Sequence, residues 1–224
     1  MARITQTTMD AVVVGVSAPE ALVSEVDRLG AKRVLILASG TLNRDTAEVD
    51  RLRQALGSKC VGVFDSVSAH VPRKDVVLAT EAARDLNVDL IVTIGGGTPT
   101  DAAKAVALSL ANDITSAEQI DRLSVEQHLK APTIPQISIP TTLSAGEYSA
   151  IAGVTNETSN TKEILRHPDL MPRVVILDPE VAHHTPEWLF LSTGLRAVDH
   201  CVEGIYSATS NPFGDAQALR GWSY

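Results

Sequence analysis

Residues 90–104 read LIVTIGGGTPTDAAK, and three signals follow one another there without a spacer. Leu90 to Ile94 are apolar or β-branched with no alternation, the pattern of a strand buried on both faces. Gly95, Gly96 and Gly97 come next; without Cβ atoms they reach dihedrals closed to other residues and let another molecule approach the backbone. A helix is then announced. Thr98 suits the N-cap, Pro99 the first helical position, and Asp101, three residues on, complements the helix dipole. Ala102, Ala103, Val106, Ala107 and Leu110 continue its apolar face. Strand, glycine turn and helix N-terminus together suit an anion, because free N–H groups and the positive dipole end point at one place. The same wording also serves as a tight connection whose glycines only let helix pack on strand. The spacing is neither G-x-G-x-x-G nor a P-loop.

Outward from this stretch, strands and helices alternate. Residues 11–16 form a β-rich run, and Ser17-Ala18-Pro19-Glu20 opens a helix through Leu29, closed by Gly30. Residues 33–38 are the next strand, with Ser39-Gly40-Thr41 as the loop beyond it. A helix over 45–56 ends at Gly57, 60–64 is a strand and 76–86 a helix. Four alternations predict a parallel sheet with right-handed crossovers. Ligands of such sheets bind beyond the carboxyl ends of the strands, near the topological switch point, so loops 39–42, 65–67 and 95–101 share one rim. Residues 134–139 add a strand running into the hydroxyl-rich loop PTTLSAG, 140–146, which suits a phosphate, sugar or nicotinamide amide, or is a plain polar connection. A hairpin is expected over 150–165, turning at 156–160, and 173–177 is one more strand. Beyond Pro179 the character changes. Thr185-Pro186-Glu187 opens a helix, and Thr193 or Gly194 starts another that reaches about Ser207. The expected fold is α/β: a parallel-sheet, Rossmann-like domain over 1–178, then over 179–224 the start of an all-helical domain.

The 224 residues carry 19 basic and 27 acidic side chains, a net charge of −8, which argues against nonspecific nucleic-acid binding. Aromatic residues are scarce and aliphatic ones abundant, as in a parallel α/β sheet. Cys60 and Cys201 form no CxxC pair and no disulfide framework, which points to a reducing, cytoplasmic setting. No apolar run is long enough to span a bilayer, and MARITQTTMD lacks the regions of a secretory signal. The expected partners are a small-molecule substrate and a second copy in a homodimer, with neither nucleic acid nor membrane.

Three segments, in order, resemble one family. GGGTPTDAAK at 95–104 is similar to a GGGS-x-x-D-x-x-K signature, and PTTLSAGEYSAIAGVTN at 140–156 to a PTT-x-x-x-(G/S)-E segment. KEILRHPDLMPRVVILDPE at 162–180, followed by TGLRAVDHCVEGIYS at 193–207, resembles a domain junction. The family is that of the group III, iron-containing alcohol dehydrogenases, and the wording at 167–179 resembles its maleylacetate reductase branch. That resemblance implies a dehydroquinate synthase-like fold. It also implies hydride exchange between NAD(H) or NADP(H) and a carbonyl or alcohol carbon, here reduction of maleylacetate to 3-oxoadipate at the keto group or the enol double bond. By motif, Gly95, Gly96, Gly97 and Thr98 hold the pyrophosphate, Asp101 and Lys104 close that signature, and Thr141, Thr142 and Leu143 line the nicotinamide side. Ser39 stands where the family often has a ribose-binding Asp; a carboxylate there would repel a 2′-phosphate, so NADP stays open beside NAD.

Metal-bearing members use an Asp and a His four residues apart on the first long helix of the second domain, plus two later histidines. His200 matches the His, but Arg196 occupies the Asp position, and the later histidines have no counterpart. A guanidinium cannot ligate a cation, and Asp199 points about 100° away around the helix. The expectation is therefore no metal, with His200 a ligand only if one is bound, and His200 and Arg196 as catalytic residues of a metal-free mode in which cationic donors polarise the carbonyl. Arg196 would grip a substrate carboxylate; it reads also as a surface residue paired with Glu203 or Asp199, and His200 as a packing histidine. His183-His184 reads as loop and His167 as structural.

The family's second domain is a helical bundle of which the chain supplies the opening helices, so the further expectation is a fragment or shortened isoform that binds cofactor weakly and catalyses poorly, with Trp222 and Tyr224 lacking packing partners. The alternatives are a metal-dependent alcohol dehydrogenase acting on a small alcohol or aldehyde, and a non-catalytic nucleotide-binding remnant. Chemistry of the glycerol dehydrogenase or dehydroquinate synthase type is a weaker option.

Overall fold

Residues 9–126, 128–208 and 210–223 are described by a computed structural model; residues 1–8, within the segment read for targeting signals, and Tyr224 lie outside them. The elements are β1 (Ala11–Val14), α1 (Ala18–Arg28), β2 (Val34–Ala38), α2 (Gly40–Asp45), α3 (Glu48–Leu56), β3 (Cys60–Phe64), α4 (Arg73–Asp85), β4 (Leu90–Gly95), α5 (Gly97–Ala111), α6 (Asp121–Val125), β5 (Gln136–Pro140), β6 (Ile151–Asn156), β7 (Thr161–Arg166), β8 (Val174–Leu177), α7 (Pro179–Ala182), α8 (Glu187–Tyr206) and α9 (Pro212–Trp222).

Six strands form one parallel sheet in the order β1-β8-β5-β4-β2-β3. The chain steps outward from β2 to β3, returns to β4 and then continues the other way through β5 to β8. Direction thus reverses between β2 and β4, the switch point expected of an open α/β sheet. Every residue of β2 and of β4 is buried, because helices cover both faces. Val34, Ile36, Val92 and Ile94 pack with Leu22, Val26 and Leu52 of α1 and α3. Leu35, Leu37 and Ile91, pointing the other way, pack with Ala79, Ala83, Ala102 and Val106 of α4 and α5. Two-sided burial is the reason these strands show no polar alternation in the sequence.

Several boundaries differ from the sequence expectation. The helix expected over 45–56 begins only at Glu48 and a separate helix, α2, precedes it, because Thr46 is extended; its Oγ1 donates to Leu42 O at 2.7 Å and accepts from Glu48 N at 3.2 Å, between the end of α2 and the start of α3. Gly40, expected in a loop, opens α2 and lies so close to β3 that a Cβ would sit 2.7 Å from Asp65 O. The cap of α5 is Gly96 rather than Thr98. Pro99 is tolerated two residues past the helix start because all four first amides lack intrahelical acceptors. A further difference is α8, one continuous helix. Thr193 does not cap within it; its hydroxyl lies 2.9 Å from Leu189 O, the back-bonding pattern of a mid-helix Thr.

β6 and β7 form the expected antiparallel hairpin, a separate two-stranded sheet. It is docked on α4 by Arg73, which is buried and donates to Glu163 at 2.9 and 2.5 Å, to Ala117 O at 3.2 Å and to Asp121. α8 carries no buried residue, and Trp188, Leu191, Leu195 and Tyr206 on it are exposed, as is Trp222 on α9.

Arg73→Met would leave Glu163 without its guanidinium. We expect a loss of about 3 kcal/mol in unfolding free energy, the low end for breaking a buried pair because Asp121 is solvated, read from urea denaturation.

Candidate functional site

The three loops at the switch point are tied to one another through their backbones. Ser39 N donates to Ile94 O at 2.9 Å, and Thr141 N donates to Gly95 O at 2.9 Å, so the loops after β2 and β5 flank the glycine turn after β4. Gly95 has φ +139°, and a Cβ there would lie 2.9 Å from Pro99 Cγ and 3.0 Å from Ser39 Cβ. Gly96 lies against Thr142, where a Cβ would be 3.1 Å from the threonine methyl. Gly97 is open: a Cβ would meet only Ser144 Oγ, at 3.6 Å. No side chain caps α5, so its first amides point into this hollow without a side-chain acceptor. Thr142 Oγ1 and Ser144 Oγ, 3.0 Å apart, form the facing wall. Ser39, Gly95, Gly96, Gly97, Thr98, Thr141 and Thr142 are thus brought together by the fold. The geometry fits a phosphate group that must approach backbone closely.

Asp101 and Lys104 belong to a different layer. Asp101 Oδ2 accepts from Gly153 N at 3.0 Å. Lys104, 1% exposed, donates to Gly146 O at 2.6 Å, Ile151 O at 2.9 Å and Ser149 Oγ at 3.3 Å, and stands 3.8 Å from Asp101. Glu147 is buried beside them. Burial lowers the Lys104 ammonium to about 8, against the opposing pull of Asp101 and Glu147. Burial likewise raises the carboxyls of Asp101 and Glu147, partly offset by hydrogen bonds to backbone N–H groups and by Lys104. The sequence reading singled out neither Glu147 nor Lys162, whose side chain lies against Gly153 and near Asp101. The signal available for Glu147 was its place as the closing Glu of the PTT-x-x-x-(G/S)-E segment.

Leu143, 44% exposed, closes the rim toward α8: its N–H donates to Thr193 Oγ1 at 3.1 Å, and Thr185 Oγ1 donates to Thr141 O at 2.7 Å. Thr193, Arg196 and His200 share one face of α8 by helical spacing. Arg196 is half-exposed, paired with Asp199 and, at 3.5 Å, with Glu203, and His200 is exposed. Among the described residues no three His, Cys, Asp or Glu side chains converge on one point. His167 Nδ1 accepts from Asp169 N at 3.2 Å, closing a turn, and His184 lies 3.4 Å from Glu48. At the opposite, amino end of the strands, a cavity of about 580 Å³ is lined by Arg28 and Arg173, both already paired with Asp10. Among the described residues no helix is long and apolar enough to cross a membrane.

A doubly wound parallel sheet with a glycine cradle at its switch point is a nucleotide-binding type of domain. A sequence model of the family described as iron-containing alcohol dehydrogenase matches residues 10–179, and the chain belongs to that family. Dehydrogenase FUM7 of Gibberella moniliformis is 38% identical over 84% of this chain and 47% of its own length. The maleylacetate reductase of Burkholderia cepacia is 35% identical over 90% of this chain and 49% of its own. The chain spans about half the length of the curated relatives it matches. The crystal structure of sulfoacetaldehyde reductase from Bifidobacterium kashiwanohense in complex with NAD+ superposes with a TM-score of 0.88 over 97% of this chain and 57% of that one, at 22% identity, a likeness of fold alone.

Lys104 sets a pH dependence whose sign follows from its shift. Between about 8 and its ordinary 10.5 the folded chain binds fewer protons than the unfolded one. Stability from this group is therefore complete above 10.5 and is lost as pH falls toward 8. Relative to Lys104→Met, the wild type should gain up to about 3 kcal/mol from pH 8 to 10.5, measured by urea denaturation of both chains across that range.

Proposed function

We propose that this chain binds NAD(H) or NADP(H) in the glycine cradle and forms the cofactor-holding part of an oxidoreductase that reduces a small keto acid, maleylacetate or a compound like it. The observation that carries this reading is the uncapped N-terminus of α5, with Gly96 and Gly97 bare and Thr142 and Ser144 facing them. When bound, the nicotinamide supplies the hydride. The amides of Gly97 and Thr98 would hold the pyrophosphate, and Thr141, Thr142 and Leu143 would fix the nicotinamide. Ser39, bearing no charge, admits a 2′-phosphate as readily as a free ribose. The maleylacetate reductase relatives support the substrate class. Arg196, exchanging Asp199 for a substrate carboxylate, would anchor a dicarboxylic keto acid, and His200 on the same helix face would hydrogen-bond its oxygen. A cytoplasmic homodimer serving the breakdown of aromatic compounds is part of the same proposal.

Two measurements test it. NADH titration together with NADH oxidation on maleylacetate and on simple aldehydes, with and without divalent metal, separates the alternatives. Turnover of maleylacetate without metal supports the reading; metal-dependent aldehyde turnover overturns the metal-free mode, and binding without turnover identifies a non-catalytic nucleotide-binding unit. In the second, Gly97→Val fills the cradle where the fold leaves room. Its stability should stay within about 0.5 kcal/mol of wild type, while NADH affinity falls at least about tenfold.

A further inference from the structure

The segment that forms the facing wall of the cradle makes a short turn of its own, Tyr148 N donating to Ala145 O at 3.1 Å and Ser149 N to Gly146 O at 3.2 Å, and is fastened to the body of the domain by side chains of α5. Ala145, in its middle, sits at φ +59°, a left-handed conformation that costs a non-glycine residue and persists only where the surroundings impose it. Gly146, the next residue, lies against Asp101 and Thr100 of α5. Lys104 offers three N–H groups, and its three hydrogen-bond acceptors, Gly146 O, Ser149 Oγ and Ile151 O, all belong to this segment. Ser149 Oγ also lies 3.1 Å from Gly146 O, so hydroxyl and ammonium share that carbonyl. Asp101, one turn earlier on α5, takes the Gly153 N–H and closes the segment's far end. The near end continues into Thr142 and Ser144, which rest against Gly96 and Gly97.

We propose that Lys104 is a positioning residue: its ammonium latches residues 146–151 onto α5 and thereby keeps Thr142 and Ser144 against the glycine turn, acting on the cofactor through the loop and not by touching a phosphate. The proposal rests on the cofactor reading of the cradle and adds to it the device that holds the wall. Asp101 is the second fastening of the same latch. Methionine at position 104 has a comparable length and no donor, so the carbonyls of Gly146 and Ile151 lose their bond to α5, and what remains at Gly146 O are the bonds from Ser149 N and Ser149 Oγ within the segment itself.

Hydrogen exchange on the full chain decides it, comparing wild type and Lys104→Met in peptides covering 143–153 and in peptides covering β4, β5 and the rest of α5. Exchange should be at least about tenfold faster in 143–153 and unchanged elsewhere, as expected when a charged hydrogen-bond donor is lost locally. NADH affinity should fall about tenfold while the affinity for ADP-ribose, which lacks the nicotinamide, changes less than about threefold. Unchanged exchange in 143–153, acceleration spread equally over β4 and β5, unchanged NADH affinity, or equal losses for both ligands would each overturn the latch. If neither chain binds NADH, the cofactor reading fails, and the exchange comparison alone still decides whether Lys104 holds the loop. Should Lys104→Met fail to fold, Ser149→Ala removes one acceptor from the partly exposed side. Exchange about threefold faster in the same segment supports the latch, and an unchanged rate overturns it.

Discussion

One backbone conformation governs the rim at the carboxyl ends of the strands. At Gly95 the chain leaves a fully buried strand and must reach a helix start within two residues, while the loops after β2 and β5 press in from both sides. φ +139° achieves the turn, and the missing Cβ leaves room for Pro99 and Ser39. Because Ser39 N and Thr141 N then bond to Ile94 O and Gly95 O, the parallel ladder effectively runs on past the strands. Everything placed at this end of the sheet inherits its position from that continuation. A side chain at position 95 would disturb the helix, the β2 loop and the β5 loop together.

Polar groups in the interior are handled differently on the two flanks of α4 and α5. Arg73 docks the β6–β7 hairpin by pairing with carboxylates, one of them well exposed. Lys104 reaches the same hairpin from the other side with neutral oxygens for acceptors, and its nearest carboxylate stands at 3.8 Å. The difference appears in their protonation: burial drives the lysine down to about 8, whereas the Asp121 and Glu163 partners of Arg73 outweigh its burial and the guanidinium is raised. A lysine is the residue that can take such a place, since it tolerates a large shift and presents its donors radially.

The sheet was readable in advance because its strands are apolar on both faces, and only a parallel sheet covered by helices demands that. The glycine triplet was readable as the turn between a buried strand and a helix start, since three residues without Cβ atoms stand between the two patterns. What the sequence did not expose were facts of tertiary contact. Gly96 becomes the cap because Gly95 turns the chain early, and Thr193 becomes a partner of Leu143 within an unbroken helix because back-bonding satisfies its hydroxyl. Asp101 and Lys104 lie within the signature at helical spacing, yet nothing in that spacing says that their partners are Gly146, Ile151 and Gly153. Arg196 illustrates the reverse case: its i+3 acid, Asp199, was visible as a surface partner, and the ion pair is present.

The helical segment touches the rim through very few points, the hydroxyls of Thr185 and Thr193 on the backbone of Thr141 and Leu143. Arg196 lies three residues and His200 seven residues beyond Thr193 on α8, about 4.5 and 10 Å along the axis at 1.5 Å per residue, so any change in the pitch of α8 at that contact would displace His200 about twice as far as Arg196.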